Sequence, residues 1–177
     1  MNMRSHVNRL VSSCCYQMRR IRSIRLSMPT SMAITLMNSC IIARVDYCNS
    51  LLPGRSVYQT DRVQTVLDDA ARLASDGSRR DDATPVMRDR LPWLRAPQRV
   101  QFKVALLVDK AIDNLAPDYI ASYCRSSNTN DRRSTLRKKS FSYGGPHPRN
   151  QLKFCVRQSP SVNIFKTKLK TFLFFKS

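Results

Sequence analysis

Glutamate is missing altogether: the 12 acidic side chains of this 177-residue chain are all aspartate. Glycine is nearly missing too. Its four occurrences, Gly54, Gly77, Gly144 and Gly145, cannot furnish a P-loop or a dinucleotide fingerprint, where spaced glycines let the backbone approach phosphate. Histidine is confined to His6 and His147, and none of the six cysteines (Cys14, Cys15, Cys40, Cys48, Cys124, Cys155) belongs to a C-x-x-C pair. No zinc-finger or zinc-knuckle spacing can be assembled from these residues. Four of the cysteines fall on stretches that read as apolar helix faces, where a reduced thiol behaves as a small hydrophobe. No secretory apolar region opens the chain, and no run approaches the roughly 18 apolar residues of a membrane span. The expectation is an intracellular protein, nuclear or cytoplasmic, that is not secreted and has no transmembrane segment.

What is abundant is positive charge. Thirty-one Lys and Arg give a formal charge of +19, unevenly spread. Residues 1–60 carry a net +7, residues 61–120 are neutral, and residues 121–177 carry +12. A neutral body between two cationic regions predicts a polyanionic partner, because each neutralised phosphate releases condensed counterions. Nucleic acid is the first expectation and an anionic membrane surface the second. At 42% hydrophobic residues the chain is able to bury a core.

Helical periodicity dominates the pattern. After Ser5, apolar residues recur at Val7, Leu10, Val11, Cys14, Met18, Ile21 and Ile24, one face of a 3.6-residue helix. A second helix opens at Pro29-Thr30-Ser31, carries Met32, Leu36, Met37, Cys40, Ile41 and Val45, and stops at Pro53-Gly54. A third covers 56–74 through Val57, Val63, Leu67, Ala70 and Leu73. Thr84-Pro85 reads as an N-cap followed by a first-turn proline, and Pro97 and Pro117 begin further helices. Trp93 reads as a core anchor between helices. From residue 125 to 158 the period lapses into Arg, Lys, Ser, Asn, Gly and Pro, a basic and partly disordered linker. A closing amphipathic helix over 159–177 uses Val162, Phe165, Leu169, Phe172 and Leu173. The predicted fold is all-α: a bundle of five to six helices, a basic irregular segment and a C-terminal helix.

Catalytic chemistry is hard to find. Asp68-Asp69 lies in an amphipathic helix, where adjacent side chains diverge by about 100° and do not converge on one ion. Asp81-Asp82 follows Arg79-Arg80 in a loop, where charge compensation suffices. No catalytic residue, metal site or cofactor is expected, and no small-molecule substrate. The basic clusters carry the functional expectation. Arg19, Arg20, Arg22 and Arg25 end the first helix, and Arg132, Arg133, Arg137, Lys138 and Lys139 form a second group followed by Phe141 and Tyr143. Guanidinium groups bridge phosphates bidentately and neighbouring rings stack on unpaired bases.

Several phrases resemble one family. Ala43-Arg44-Val45-Asp46-Tyr47-Cys48-Asn49-Ser50-Leu51-Leu52 resembles the "SRLDYCNSLL" segment that follows the catalytic palm of non-LTR (LINE-type, jockey- and chicken-repeat-like) retrotransposon reverse transcriptases. His6-Val7 and the stretch from Arg20 to Ile24 are similar to the helix before it. Val63-Gln64 through Leu73, Thr84-Pro85-Val86 with Leu91-x-Trp93-Leu94, Arg99 through Lys103, Lys110-Ala111 with Leu115-Ala116-Pro117-x-Tyr119, and Ser159-Pro160-Ser161 to Leu169 follow in the family's order. Asp109 stands where the family has Tyr, Asn114 where it has Gly, and Arg95 where it has Pro. A charged residue at position 109, if buried, costs several kcal/mol.

The resemblance implies a C-terminal fragment of a transposable-element RNA-directed DNA polymerase. Residues 1–75 would be the thumb, 76–124 a downstream helical region, 125–158 the linker and 159–177 the last helix. The endonuclease and the Phe/Tyr-x-Asp-Asp magnesium site precede His6-Val7 in that family and have no counterpart here, so no enzymatic activity is expected. A thumb grips template–primer through its backbone, which suits sequence-independent RNA or DNA binding by Arg-rich helices. Two alternatives remain open. Residues 1–27, with six arginines, five serines and no acid, also resemble a mitochondrial presequence ahead of a helical interaction module. A pseudogene remnant without function is the other.

Overall fold

The computed structural model describes residues 3–47, 57–78, 80–125, 149–150 and 152–175. Among these the chain is all-α, with no strand. It divides into two compact units: Met1–Asn49 with Ser56–Pro97, and Ser50–Arg55 with Gln98–Ser177.

The first unit is built on three packed helical segments. Helix α1 (Met3–Ile24) buries Val7, Cys14, Met18 and Ile21 of its predicted stripe, while Leu10 and Val11 are half-buried and Ile24 is exposed. Helix α2 (Thr30–Met37) passes through a π turn (Asn38–Ile42) into α3 (Ala43–Asp46). The wider turn admits one extra residue, so both Ile41 and Ile42 face the core. Met37, Ile41 and Val45 are buried as predicted, and Ala33 one turn earlier joins them at the same i+4 spacing, whereas Met32 is exposed and Leu36 and Cys40 are half-buried. Tyr47 leaves the helix in extended conformation, and the predicted continuation to Pro53-Gly54 lies outside the described residues.

Helix α4 (Val57–Ser75) packs on both α1 and α2 through Val63, Val66, Leu67, Ala70, Ala71, Leu73 and Ala74. Burying each large side chain of this kind contributes about 1.5–3 kcal/mol. Val57, expected in the stripe, is exposed. The helix ends at Asp76, whose φ of 60° is left-handed, with Gly77 N–H donating back to Arg72 O at 2.8 Å.

The next helix start differs from expectation. Asp82, rather than Thr84, is the N-cap of α5 (Ala83–Pro85), its carboxylate accepting from Thr84 N–H at 2.9 Å. Thr84 is already inside the helix, and a π turn (Val86–Arg90) extends it. Trp93 is buried, and its backbone N–H donates to Met87 O at 2.8 Å.

The capping bond holds the Asp82 carboxyl below its ordinary range. Its contribution to stability is therefore complete above the ordinary aspartate value and lost as pH falls through the folded one. Asp82→Asn keeps the acceptor oxygen and removes the titration. Thermal melts across an acid series should show a shallower decline for Asp82→Asn than for the parent; parallel declines would show that the cap is not proton-linked.

In the second unit α6 (Ala96–Ile112), which starts within the first unit, leads to α7 (Asp118–Arg125). Asn114 closes α6 at φ 55°, with Leu115 N–H donating to Lys110 O at 2.8 Å. A left-handed C′ residue is usually Gly and otherwise Asn, so the exchange implied by the resemblance is one the backbone tolerates. The predicted linker is not irregular throughout. Residues 126–148 lie outside the described residues, but α8 (Phe154–Arg157) is helical and packs on α9 (Val162–Phe175). Phe165, Leu169 and Leu173 of α9 are buried, as their spacing predicts.

Asp109 is buried in this unit, and it is paired. Both Nε and Nη2 of Arg149 lie 3.0 Å from its Oδ1. Burial pushes the Asp109 carboxyl above its ordinary range, and the Arg149 hydrogen bond and charge act against that rise.

Candidate nucleic-acid interface

The solvent face of α1 is set by the same period that sets its core face. With about 100° per residue, Arg9, Ser13, Tyr16 and Arg20 fall opposite Val7, Cys14 and Met18. Tyr16 is 56% exposed, and the Arg20 guanidinium carbon lies 5.9 Å from its ring centroid. That is a cation–π distance, which orients the arginine without neutralising it.

Arg19, Arg20 and Arg22 are all exposed and form no ion pair among the described residues. They lie in the last two turns of α1, where positive charge is favourable against the negative end of the helix dipole. Arg22 also borders a cavity of about 410 Å³ with Leu26, Asp69, Arg72, Asp76 and Gly77. That wall is of mixed charge, because Arg72 is already bonded to Asp69 Oδ1 at 3.0 Å.

Arg25 departs from the sequence expectation. It is only 7% exposed, and its guanidinium donates to Leu73 O at 2.9 Å, Met28 O at 3.0 Å, and Thr30 Oγ1 and Ala74 O at 3.3 Å. It satisfies carbonyls at the C-terminus of α4 and ties α1 to that helix. The physical reason is register: Arg25 opens the 3-10 turn (Arg25–Ser27) that follows α1 and continues its Val7–Cys14–Met18 side, so the side chain enters the core and must find acceptors. Arg25 is thus a structural residue, with four of its five N–H donors engaged within the fold. Arg132, Arg133, Arg137, Lys138 and Lys139 lie outside the described residues.

A second basic surface has no counterpart in the predicted site. His6, Arg9, Leu10 and Ser13 of α1 and Ala43, Arg44 and Tyr47 at α3 line a groove of about 450 Å³. Arg44 Nη1 donates to Ser13 Oγ across it. Arg9, Ser13, Tyr16 and Arg20 were legible as one face from their spacing; the approach of Arg44 and Tyr47 needs the packing of α3 on α1.

The aspartate pairs are locally engaged. Asp68 accepts from Gln64 Nε2 at 2.7 Å, Asp69 pairs with Arg72, Asp81 Oδ2 accepts from Ser78 N–H at 2.7 Å, and Asp82 is the cap described above. Among the described residues no three His, Cys or Asp side chains gather as metal ligands. Burial pushes the Cys14 thiol up to about 11, against a lowering by Arg44, so it stays protonated in the core. No helix among the described residues is long and apolar enough to cross a membrane. Compared with family models, curated proteins and solved structures, the chain matches none of them.

Proposed function

We propose that this chain is the thumb and downstream helical part of a non-LTR retrotransposon reverse transcriptase, and that its own activity is sequence-independent binding of RNA or DNA. One observation carries the reading. Arg19, Arg20 and Arg22, all exposed and without an ion pair among the described residues, crown a helix whose apolar stripe is locked into a core. A rigid rod that presents unneutralised guanidinium groups makes phosphate contacts without reading bases. The binding needs no metal or cofactor and includes no chemical step. The packing of α1 also favours this reading over a cleaved presequence, because removing residues 1–27 would strip Val7, Cys14, Met18 and Ile21 from the core.

The test is a salt titration. Binding to a mixed-sequence duplex should weaken steeply with salt, and Arg19→Ala/Arg20→Ala/Arg22→Ala should reduce the log–log slope by about 2–3. Stability should change by less than about 0.5 kcal/mol per site, since these are exposed positions. Binding insensitive to salt, or absent at low salt, overturns the proposal.

A further inference from the structure

We infer that the groove between α1 and α3 seats an unpaired nucleobase, making this face of the protein a single-strand binding surface. The inference rests on the nucleic-acid reading above and adds the form of nucleic acid preferred.

Three observations converge on it. Tyr47 is 74% exposed at the rim of the groove, although burying an aromatic ring of this size is normally rewarded. Its backbone is held, with Tyr47 N–H donating to Ala43 O at 3.1 Å, so the ring stands on a fixed base rather than a loose tail. Leu10 and Ala43 give the groove an apolar lining against which a base could lie.

Charge supplies the second half of the site. Among the described residues lining the groove are Arg9 and Arg44 and no carboxylate. Arg44 is oriented by its bond to Ser13 Oγ, and Arg9 forms no ion pair among the described residues. A stacked base with flanking phosphates requires a ring beside two cations, and these residues provide it.

Beyond the groove, the exposed face of α1 continues in one direction. Arg9, Tyr16 and Arg20 follow one another along α1, and at 1.5 Å per residue Arg9 and Arg20 are separated by about 16 Å along the axis. Tyr16 offers a second exposed ring between them. A strand leaving Tyr47 would therefore meet alternating rings and guanidinium groups. A duplex presents its phosphates but hides its bases in the stack, so it gains nothing from Tyr47.

The experiment uses the full chain and fluorescence anisotropy at 100 mM salt, with a labelled 12-nucleotide dT strand, an abasic strand of equal length and a 12-base-pair duplex. Tyr47→Ala should weaken dT binding about tenfold, and Tyr47→Phe should hold it within about twofold. Duplex and abasic binding should be unchanged by either variant. Equal losses on the strand and the duplex, or no loss on either, overturn the groove, as does equal displacement of dT by polyaspartate. If Tyr47→Ala is silent while the Arg19, Arg20 and Arg22 triple variant weakens all probes, the groove fails and the general reading survives. If the parent binds no probe at 50 mM salt, both fail. A urea midpoint shared by parent and variant excludes unfolding as the cause of any loss.

Discussion

Arg149→Ala should destabilise the second unit by about 3–5 kcal/mol, the usual cost of removing one partner from a buried ion pair. The Asp109 side chain is 7% exposed and that of Arg149 17%, so the stranded carboxylate would have little water to turn to. The loss has a pH signature. Burial already raises the Asp109 carboxyl, and without Arg149 it rises further. A group whose folded-state value lies above its unfolded value favours folding as pH falls through the folded value, because the native state then holds the proton more tightly. The destabilisation should accordingly be greatest near neutral pH and ease on acidification. Asp109→Leu combined with Arg149→Met removes both charges and should lie near the parent or above it in stability. Urea denaturation of the two variants at two pH values measures each of these quantities. A single variant as stable as the parent would mean that the pair carries no weight in the fold.

Arg25→Ala should cost about 3 kcal/mol, through the desolvated carbonyls it leaves behind. Four acceptors lose their donor at once, two of them the backbone carbonyls of Leu73 and Ala74 at the end of α4. Arg25→Lys should recover only part of this, because an ammonium offers three donors from one point and lacks the planar fork. The useful contrast is with Arg20→Ala, which should leave the denaturation midpoint unmoved while weakening nucleic-acid binding. Calorimetric or chemical unfolding alongside anisotropy separates the two arginines. If Arg25→Ala melted with the parent and bound nucleic acid poorly, its structural role would be refuted.

The second unit shows how far the resemblance carried the structural reading. Asp109 and Asn114 are both departures from the pattern that the sequence resembles. Asn114 occupies a left-handed position that tolerates it, so a local rule explains it. Asp109 is compensated by Arg149, forty positions away, and no local rule reaches that far.

The helical stripes were written in the sequence because helix periodicity is a local property, fixed by 3.6 residues per turn. Val7, Cys14, Met18 and Ile21 are buried where that period places them, as are Phe165, Leu169 and Leu173. The excess of Lys and Arg over Asp was equally plain, and with it the direction of the functional reading. Tertiary structure decided what each charge does. In the sequence Arg22 and Arg25 belong to one basic cluster, yet one is exposed and the other buried among backbone carbonyls. The meeting of Arg44 with Ser13 and the Asp109–Arg149 pair likewise depend on contacts between distant segments. A charge buried on folding must find a partner in three dimensions, and the linear pattern does not say where that partner lies.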